Sequence, residues 1–126
     1  MEMLHARVRK MGRRFDRLSV AERHELRKDI KRLRYAAECF APLCRDKPAR
    51  RFLKSLKALQ DGFGALNDAA MAEAVLLAPD APWHEDPAAS RAAGFVLGRL
   101  SASLAPEQAA FVELWQRFRS LSPCWR

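Results

Sequence analysis

The sequence predicts an all-α protein, built as an up-and-down bundle of four helices. Strong helix formers dominate the composition, threonine is absent, and only five glycines occur in 126 residues. Apolar residues recur at helical spacing in successive segments that are separated by turn signals. Because this length allows one compact domain, we assign residues 1–126 to a single helical bundle.

The first helix is predicted from an apolar stripe near the start of the chain. Residues spaced by three and four positions form this stripe: Leu4, Val8, Met11, Phe15 and Leu18. Most of the remaining surface is arginine and lysine. His5 lies among these basic residues and could join a cationic surface.

A capping box predicts the start of the second helix, with Ser19 as the N-cap and Glu22 at the third helical position. The helix should end near Pro42 or Cys44. Its apolar stripe consists of Leu26, Ile30, Leu33, Ala37 and Phe40.

A long third helix is predicted from about Pro48 to Leu77, with Pro48 in its first turn. Gly62 and Gly64 lie inside this segment, and we keep the helix continuous through them. A glycine here indicates close approach of another backbone. The apolar face consists of Phe52, Leu56, Leu59, Phe63, Leu66, Ala70 and Leu77.

The fourth helix follows a proline-marked loop over residues 78–86. Its apolar stripe has two parts, of which the first begins at Ala93 and the second at Phe111. We expect this last helix to be broken or kinked near Pro106, because proline lacks a backbone donor and clashes with the preceding turn.

The charge is distributed unevenly along the chain. Residues 1–60 contain 18 basic and 7 acidic residues, a net charge of +11, whereas residues 61–126 carry −3. This asymmetry favours a polyanionic partner for the first half: nucleic acid, anionic lipid or a phosphate polymer.

Other classes of site lack a signal in the sequence. Cys39, Cys44 and Cys124 form no CxxC pair and have no histidine at metal-ligand spacing, so we expect neither a disulfide nor a metal site. His84 stands alone beside Trp83 and is interpreted as a packing or surface residue. No leader, membrane span or nucleophile arrangement is visible, which favours a soluble, cytoplasmic, non-enzymatic protein without a cofactor.

The predicted second and third helices each have a charged face opposite the apolar stripe. Any surface helix has such a face, but on the second helix this face is almost purely cationic, and such a face repels itself unless an anion is bound. The residues concerned are His24, Lys28, Lys31 and Tyr35, flanked by Arg27, Arg32 and Arg34, on the second helix, and Arg50, Lys54, Lys57, Asp61 and Asp68 on the third.

Two segments carry a resemblance to a known family. Residues 24–38 resemble the histidine-containing helix of the CHAD family (conserved-histidine α-helical domain), and residues 52–68 resemble the helix that follows it. Residues 12–14 and 123–125 are similar more weakly. The chain as a whole resembles the C-terminal half of a CHAD domain.

The resemblance implies an all-helical domain of two four-helix bundles related by approximate two-fold symmetry, which binds inorganic polyphosphate in a basic channel. On matching positions, it implies phosphate contacts from His24, Arg27, Lys28, Lys31, Arg32 and Arg34, extended by Lys54 and Lys57. We add Arg50 from the same helical face. The matching residues interpreted as groups that orient basic side chains are Tyr35, Glu38, Gln60, Asp61, Asn67 and Asp68.

The family also bears on partners. Its members are often associated with polyphosphate granules and fused to a CYTH-type catalytic domain. Because one bundle's worth of sequence is present, we expect a homodimer that rebuilds the two-bundle domain. The alternatives are a nucleic-acid-binding helical module and a regulatory module that docks an acidic protein partner.

Overall fold

Four helices form the chain in the computed structural model, which describes residues 1–125. No strand occurs among these residues, so the all-α prediction is confirmed. The helices are α1 (Glu2–Gly12), α2 (Val20–Phe40), α3 (Asp46–Leu76) and α4 (Pro87–Ser120), connected by 3₁₀ turns at Phe15–Arg17, Ala41–Leu43 and Pro82–Glu85.

The helices pack in chain order as a bundle: α1 on α2, α2 on α3, and α3 on α4. Aromatic contacts connect α1 and the turn that follows it to α4. Phe15 meets Phe111 edge-on, with ring centroids 4.7 Å apart, and His5 contacts Phe118 at 5.9 Å. The predicted four-helix bundle is therefore confirmed.

The capping box at the start of α2 is also confirmed. The backbone N–H of Glu22 donates to Ser19 Oγ at 3.2 Å, and the Ser19 N–H donates to Glu22 Oε1 at 3.1 Å. The backbone hydrogen bond from Ser19 and the contact with its hydroxyl hold the pKa of Glu22 below its usual range. These bonds satisfy two groups that the helix leaves unpaired at its N-terminus.

The expectation that one first helix carries the whole stripe from Leu4 to Leu18 is wrong. The helix ends at Gly12, and Phe15 lies in the 3₁₀ turn that follows. Gly12 packs directly against the Trp115 indole, where a Cβ atom would overlap the ring. Glycine is a poor helix former, and the turn after it directs Phe15 onto Phe111.

The core contains most of the predicted stripes of α2 and α3, together with the last part of α4. Phe40, which was assigned to the second stripe, is 46% exposed at the end of α2. Ala70 and Leu77, which were assigned to the third stripe, are not buried; Ala69 is buried instead. The fully buried large side chains of this core are Val8, Leu26, Ile30, Leu33, Phe52, Leu56, Leu59, Phe63, Leu66, Phe111 and Phe118.

α3 is continuous through its glycines, as predicted, and Pro48 lies in its first turn. The close approach at Gly62 comes from a side chain rather than from a backbone. A Cβ at this position would lie 2.7 Å from Leu114 Cδ1. Gly64 has more space, since the nearest atom to such a Cβ is Arg27 Nη2 at 3.9 Å.

The predicted break of the last helix near Pro106 is wrong, because α4 runs from Pro87 to Ser120 with Pro106 inside it. Proline costs this helix one hydrogen bond to the carbonyl of Ala102. Pro106 and Ala102 are exposed, so water can satisfy that carbonyl. Phe111 and Phe118 are buried in the core and hold the segment beyond the proline in place.

α3 and α4 are much longer than their neighbours, with 31 and 34 residues against 11 in α1 and 21 in α2. Their excess length forms a helical hairpin, residues 70–110, which we call the arm. Ala81 is the single buried residue among the described residues of the arm. Phe95 and Val75, both apolar, are 67% and 55% exposed.

Candidate anion-binding surface

The basic residues of α2 face solvent along most of the helix. Arg34 is half-buried, and the other basic residues predicted to bind phosphate on this helix are exposed. Successive turns of a helix rise by about 5.4 Å, so these side chains form a row along its outer face. We call this row the α2 cationic face; it consists of His24, Arg27, Lys28, Lys31, Arg32 and Arg34.

Carboxylates contact part of this row. Lys28 Nζ lies 3.3 Å from Glu25 Oε1, and this hydrogen bond holds the pKa of Glu25 below its usual range. Arg34 Nε lies 3.3 Å from Glu38 Oε1, one helical turn further along. Contacts of this kind between exposed groups stabilise the fold only slightly but restrict where the basic side chains point.

Tyr35 lies between two cations of the same helix. Arg34 Cζ is 5.1 Å from the centroid of its ring, and Lys31 Nζ is 5.8 Å from it. The ring is 47% exposed, so the cations stack at the surface rather than in the core. These contacts are compatible with the orienting role predicted for Tyr35.

α3 packs beside α2, and the connection at Ala41–Leu43 makes the two helices antiparallel. One exposed ion pair joins them, from Arg27 Nη1 to Asp68 Oδ1 at 3.9 Å. The structure therefore brings the start of α2 beside residues 64–68 of α3. Arg50 lies about 27 Å from Asp68 along the helix, at the opposite end of the surface.

The supporting residues predicted on α3 differ in their surroundings. Asp61 and Asp68 are exposed, whereas Gln60 and Asn67 are half-buried. Gln60 Oε1 is shielded from solvent and has no hydrogen-bond partner among the described residues. Lys57 and Asp61 stand one helical turn apart on α3 but form no ion pair within residues 1–125, which leaves the Lys57 ammonium without a neutralising carboxylate.

Several of the predicted phosphate contacts have no acidic neighbour. Within the part of the chain that the structure describes, five of these residues are exposed and make no ion pair: His24, Lys31, Arg50, Lys54 and Lys57. An unpaired cation keeps its full charge for an external anion. The three lysines and Arg50 among these residues therefore carry most of the uncompensated charge of the candidate surface.

Lys54 has a second environment that the sequence did not indicate. It borders a groove of about 350 Å³ between α3 and α4, together with Arg51 and Arg117. Ser55 and Ser120 also line this groove. Arg117 was not predicted from the sequence because it lies on α4, outside the basic half of the chain. The cationic surface thus extends from α3 onto α4.

Asp29 is the other residue that sequence reasoning missed. Its side chain is fully buried and accepts two hydrogen bonds from Arg7 of α1, while Arg32 Nη1 lies 3.5 Å from its second oxygen. The sequence did indicate that this residue would be buried. Asp29 lies three residues after Leu26 and four before Leu33, which is a core position in the apolar stripe of the second helix. Asp29 thus anchors Arg32 within the α2 cationic face.

His5 does not join the basic surface. It is 2% exposed and lies among the rings of Phe52, Phe118 and Trp125, with centroid distances from 5.6 to 6.0 Å. The side chain is part of the aromatic packing between α1, α3 and α4. His84, by contrast, is exposed in the loop, where its Nε2 lies 2.7 Å from the carbonyl oxygen of Ala78.

Within residues 1–125, no three His, Cys, Asp or Glu side chains gather closely enough to hold a metal ion. No helix in the same range combines the length and the hydropathy needed to cross a membrane.

The fold and the surface together define a small helical bundle with an exposed cationic face. The sequence model of one family, the CHAD domain, matches residues 1–77, which contain α1, α2 and α3. This match covers more than half of the chain, so the protein belongs to the CHAD domain family. Comparisons with curated proteins and with solved structures find no match. CHAD domains are associated with polyphosphate-related proteins and are generally non-catalytic.

Proposed function

We propose that this chain binds inorganic polyphosphate without chemically changing it, through the α2 cationic face and the basic residues of α3. The observation that carries the proposal is the set of exposed cations without an ion pair among the described residues, which includes Lys31 on α2 and Lys57 on α3. The membership of the CHAD family supports the choice of ligand.

A linear phosphate polymer suits a row of cations better than a compact ligand does. Basic side chains on successive helical turns can each meet a different phosphate along the polymer. Lysine provides a mobile point charge, and arginine can bind two phosphate oxygens with its planar guanidinium. Affinity then depends on many weak contacts and on counterion release, so it should fall steeply with salt.

The test is a titration with long-chain polyphosphate at two salt concentrations. We expect Lys31→Gln/Lys57→Gln to bind at least about tenfold more weakly, and to lower the slope of log K against log salt by about 1.5. The matched control is Arg91→Gln/Arg99→Gln, which removes the same charge from the arm. Equal loss in both variants would show that net charge, rather than this surface, binds the polymer.

Competition separates polyphosphate from the alternative ligands. Unlabelled polyphosphate should displace the labelled polymer at lower phosphate concentration than duplex DNA or RNA does. Stronger displacement by a nucleic acid would replace the proposal with a nucleic-acid-binding function. Stronger displacement by a poly-glutamate peptide would favour an acidic protein partner.

The chain is also proposed to form a homodimer, as the C-terminal half of a CHAD domain that pairs with a second copy. The arm supports this proposal, because Met71, Val75, Phe95 and Val96 expose apolar surface on it. Residues 70–110 carry a net charge of −3, so two arms can meet without bringing the strongly basic halves together. Sedimentation equilibrium should give a dimer for the wild type and a monomer for Val75→Glu/Phe95→Glu.

Two further partners follow from the same proposal. A polyphosphate-binding module would bring the chain to polyphosphate granules, and a CYTH-type catalytic domain would be a fitting partner. Fluorescently labelled chain should concentrate on granules in cells that make polyphosphate, and Lys31→Gln/Lys57→Gln should stay dispersed. An equal distribution of the two proteins would contradict granule association through this surface.

A further inference from the structure

Two cysteines from distant parts of the sequence meet at one end of the bundle. Cys44 follows the turn after α2, and Cys124 lies in the tail after α4. Cys124 is buried in the core, and Cys44 packs against that core half-buried. Both side chains border the same crevice of about 590 Å³, which Pro48 and Trp125 also line.

The Cys44 thiol lies close enough to Cys124 to shift its pKa. Burial and, after it, the neighbouring Cys44 thiol together raise the pKa of Cys124 to about 11. Cys44 Sγ donates to the carbonyl oxygen of Phe40 at 3.5 Å.

The surroundings of the pair hold the tail in position. Pro123 is buried next to Cys124, and on the other side Trp125 Nε1 donates to Glu2 Oε1 at 2.6 Å. Cys44 is fixed by its own backbone N–H, which donates to the carbonyl oxygen of Ala41 at 3.0 Å. The folded chain therefore holds both cysteines at this end of the bundle.

We propose that Cys44 and Cys124 form a reversible intramolecular disulfide when the folded protein meets a small disulfide oxidant. The more exposed Cys44 attacks the oxidant as its thiolate, forms a mixed disulfide and releases one thiol. Cys124 then attacks the Cys44 sulfur and releases the second thiol. Two protein thiols are oxidised, each losing its proton to solvent or to a leaving thiolate, and one oxidant disulfide is reduced to two thiols.

Cys39 distinguishes this pair from random oxidation. It is exposed on α2 and does not border the crevice. The disulfide would close a loop of about 80 residues between the α2–α3 connection and the tail, which in the chain-entropy description stabilises the fold. Thiol reductants would reverse it, as is usual for redox-sensitive disulfides in reducing compartments.

The experiment uses the full chain with two thiols at a time. Folded Cys39→Ser retains Cys44 and Cys124, and Cys44→Ser retains Cys39 and Cys124. Each is incubated with oxidised glutathione, and intact mass and thermal unfolding are measured before and after treatment with a reductant. Circular dichroism confirms that both variants are folded.

The expected result is a mass loss of about 2 Da in Cys39→Ser, with a rise in Tm of about 10 °C that the reductant reverses. Cys44→Ser should show neither change. Two free thiols in oxidised Cys39→Ser would overturn the proposal, and so would glutathione retained on Cys44 without a crosslink. Equal crosslinking in both variants would also overturn it, because it would show that the fold does not favour oxidation of Cys44 with Cys124 over other cysteine pairs.

Discussion

Arg7 of α1 donates two hydrogen bonds to one oxygen of Asp29 on α2, from Nε at 3.1 Å and from Nη2 at 2.7 Å. The Asp29 side chain is completely buried, whereas that of Arg7 is 55% exposed. Because the carboxylate cannot reach water, its charge depends on Arg7 and on the more distant Arg32. This contact joins the first helix to the helix that carries the candidate binding surface.

Loss of Arg7 should therefore destabilise the fold more than loss of another cation from the same helix. We expect Arg7→Gln to lower the free energy of unfolding by about 2 kcal/mol, a value reduced by the exposure of Arg7. Lys10→Gln removes the same charge from an exposed position and should change it by less than about 0.5 kcal/mol. Urea unfolding measures both, and similar effects would contradict a specific role for the Arg7–Asp29 contact.

Two glycine-to-alanine substitutions should have opposite effects on stability. At Gly12 the new methyl group would overlap the Trp115 ring, so Gly12→Ala should destabilise the bundle by about 2 kcal/mol. At Gly64 the nearest atom leaves ordinary space, so Gly64→Ala should stabilise α3 by about 0.5–1 kcal/mol. Thermal unfolding of the two variants tests the packing, and a neutral Gly12→Ala would rule out the close contact.

Removing a carboxylate from the α2 cationic face should strengthen polyphosphate binding. Glu25 lies beside Lys28 and partly neutralises it. We expect Glu25→Gln to raise the affinity by about two- to threefold at low salt, since the substitution removes a negative charge that repels the polymer. The gain should shrink at high salt. Unchanged affinity at low salt would show that the polymer does not approach Lys28.

The capping box should make stability depend on pH. The pKa of Glu22 is lower in the folded chain, so its carboxylate stabilises the fold above the usual carboxyl range and loses this contribution as pH falls through the lowered value. Wild type should therefore exceed Glu22→Gln in stability at pH 7, and the difference should vanish in acid. The difference should persist in a Ser19→Ala background, though reduced, because that substitution keeps the Ser19 backbone N–H that donates to Glu22 Oε1 and removes only the hydroxyl. A pH-independent difference would contradict this interpretation.

Local sequence patterns were sufficient to predict α2 and α3. Ser19 and Glu22 define the start of α2 through contacts only three residues apart, and the stripe from Phe52 to Leu66 has the period of the helix that it forms. The outward positions of Lys31 and Lys57 follow from the same periodicity. Such features depend on neighbours along one helix, and the sequence contains all of them.

The features that could not be predicted depend on contacts between distant segments. The end of α1 at Gly12 depends on Trp115, about a hundred residues further along, and Lys54 borders the same groove as Arg117 only because α4 returns beside α3. The meeting of Cys44 with Cys124 has the same origin. At Pro106 the general rule about proline was outweighed by packing of the segment that follows it.

The length of α3 and α4 beyond the bundle has a consequence for how the molecule fluctuates. The arm has little buried surface to hold it, so its backbone hydrogen bonds can open while Leu26, Ile30 and Leu33 stay enclosed. Amide protons at Phe95 and its neighbours should exchange with deuterium well before those of the bundle. The chain would then consist of two cooperative units that share two helices, with the boundary between them close to Phe111.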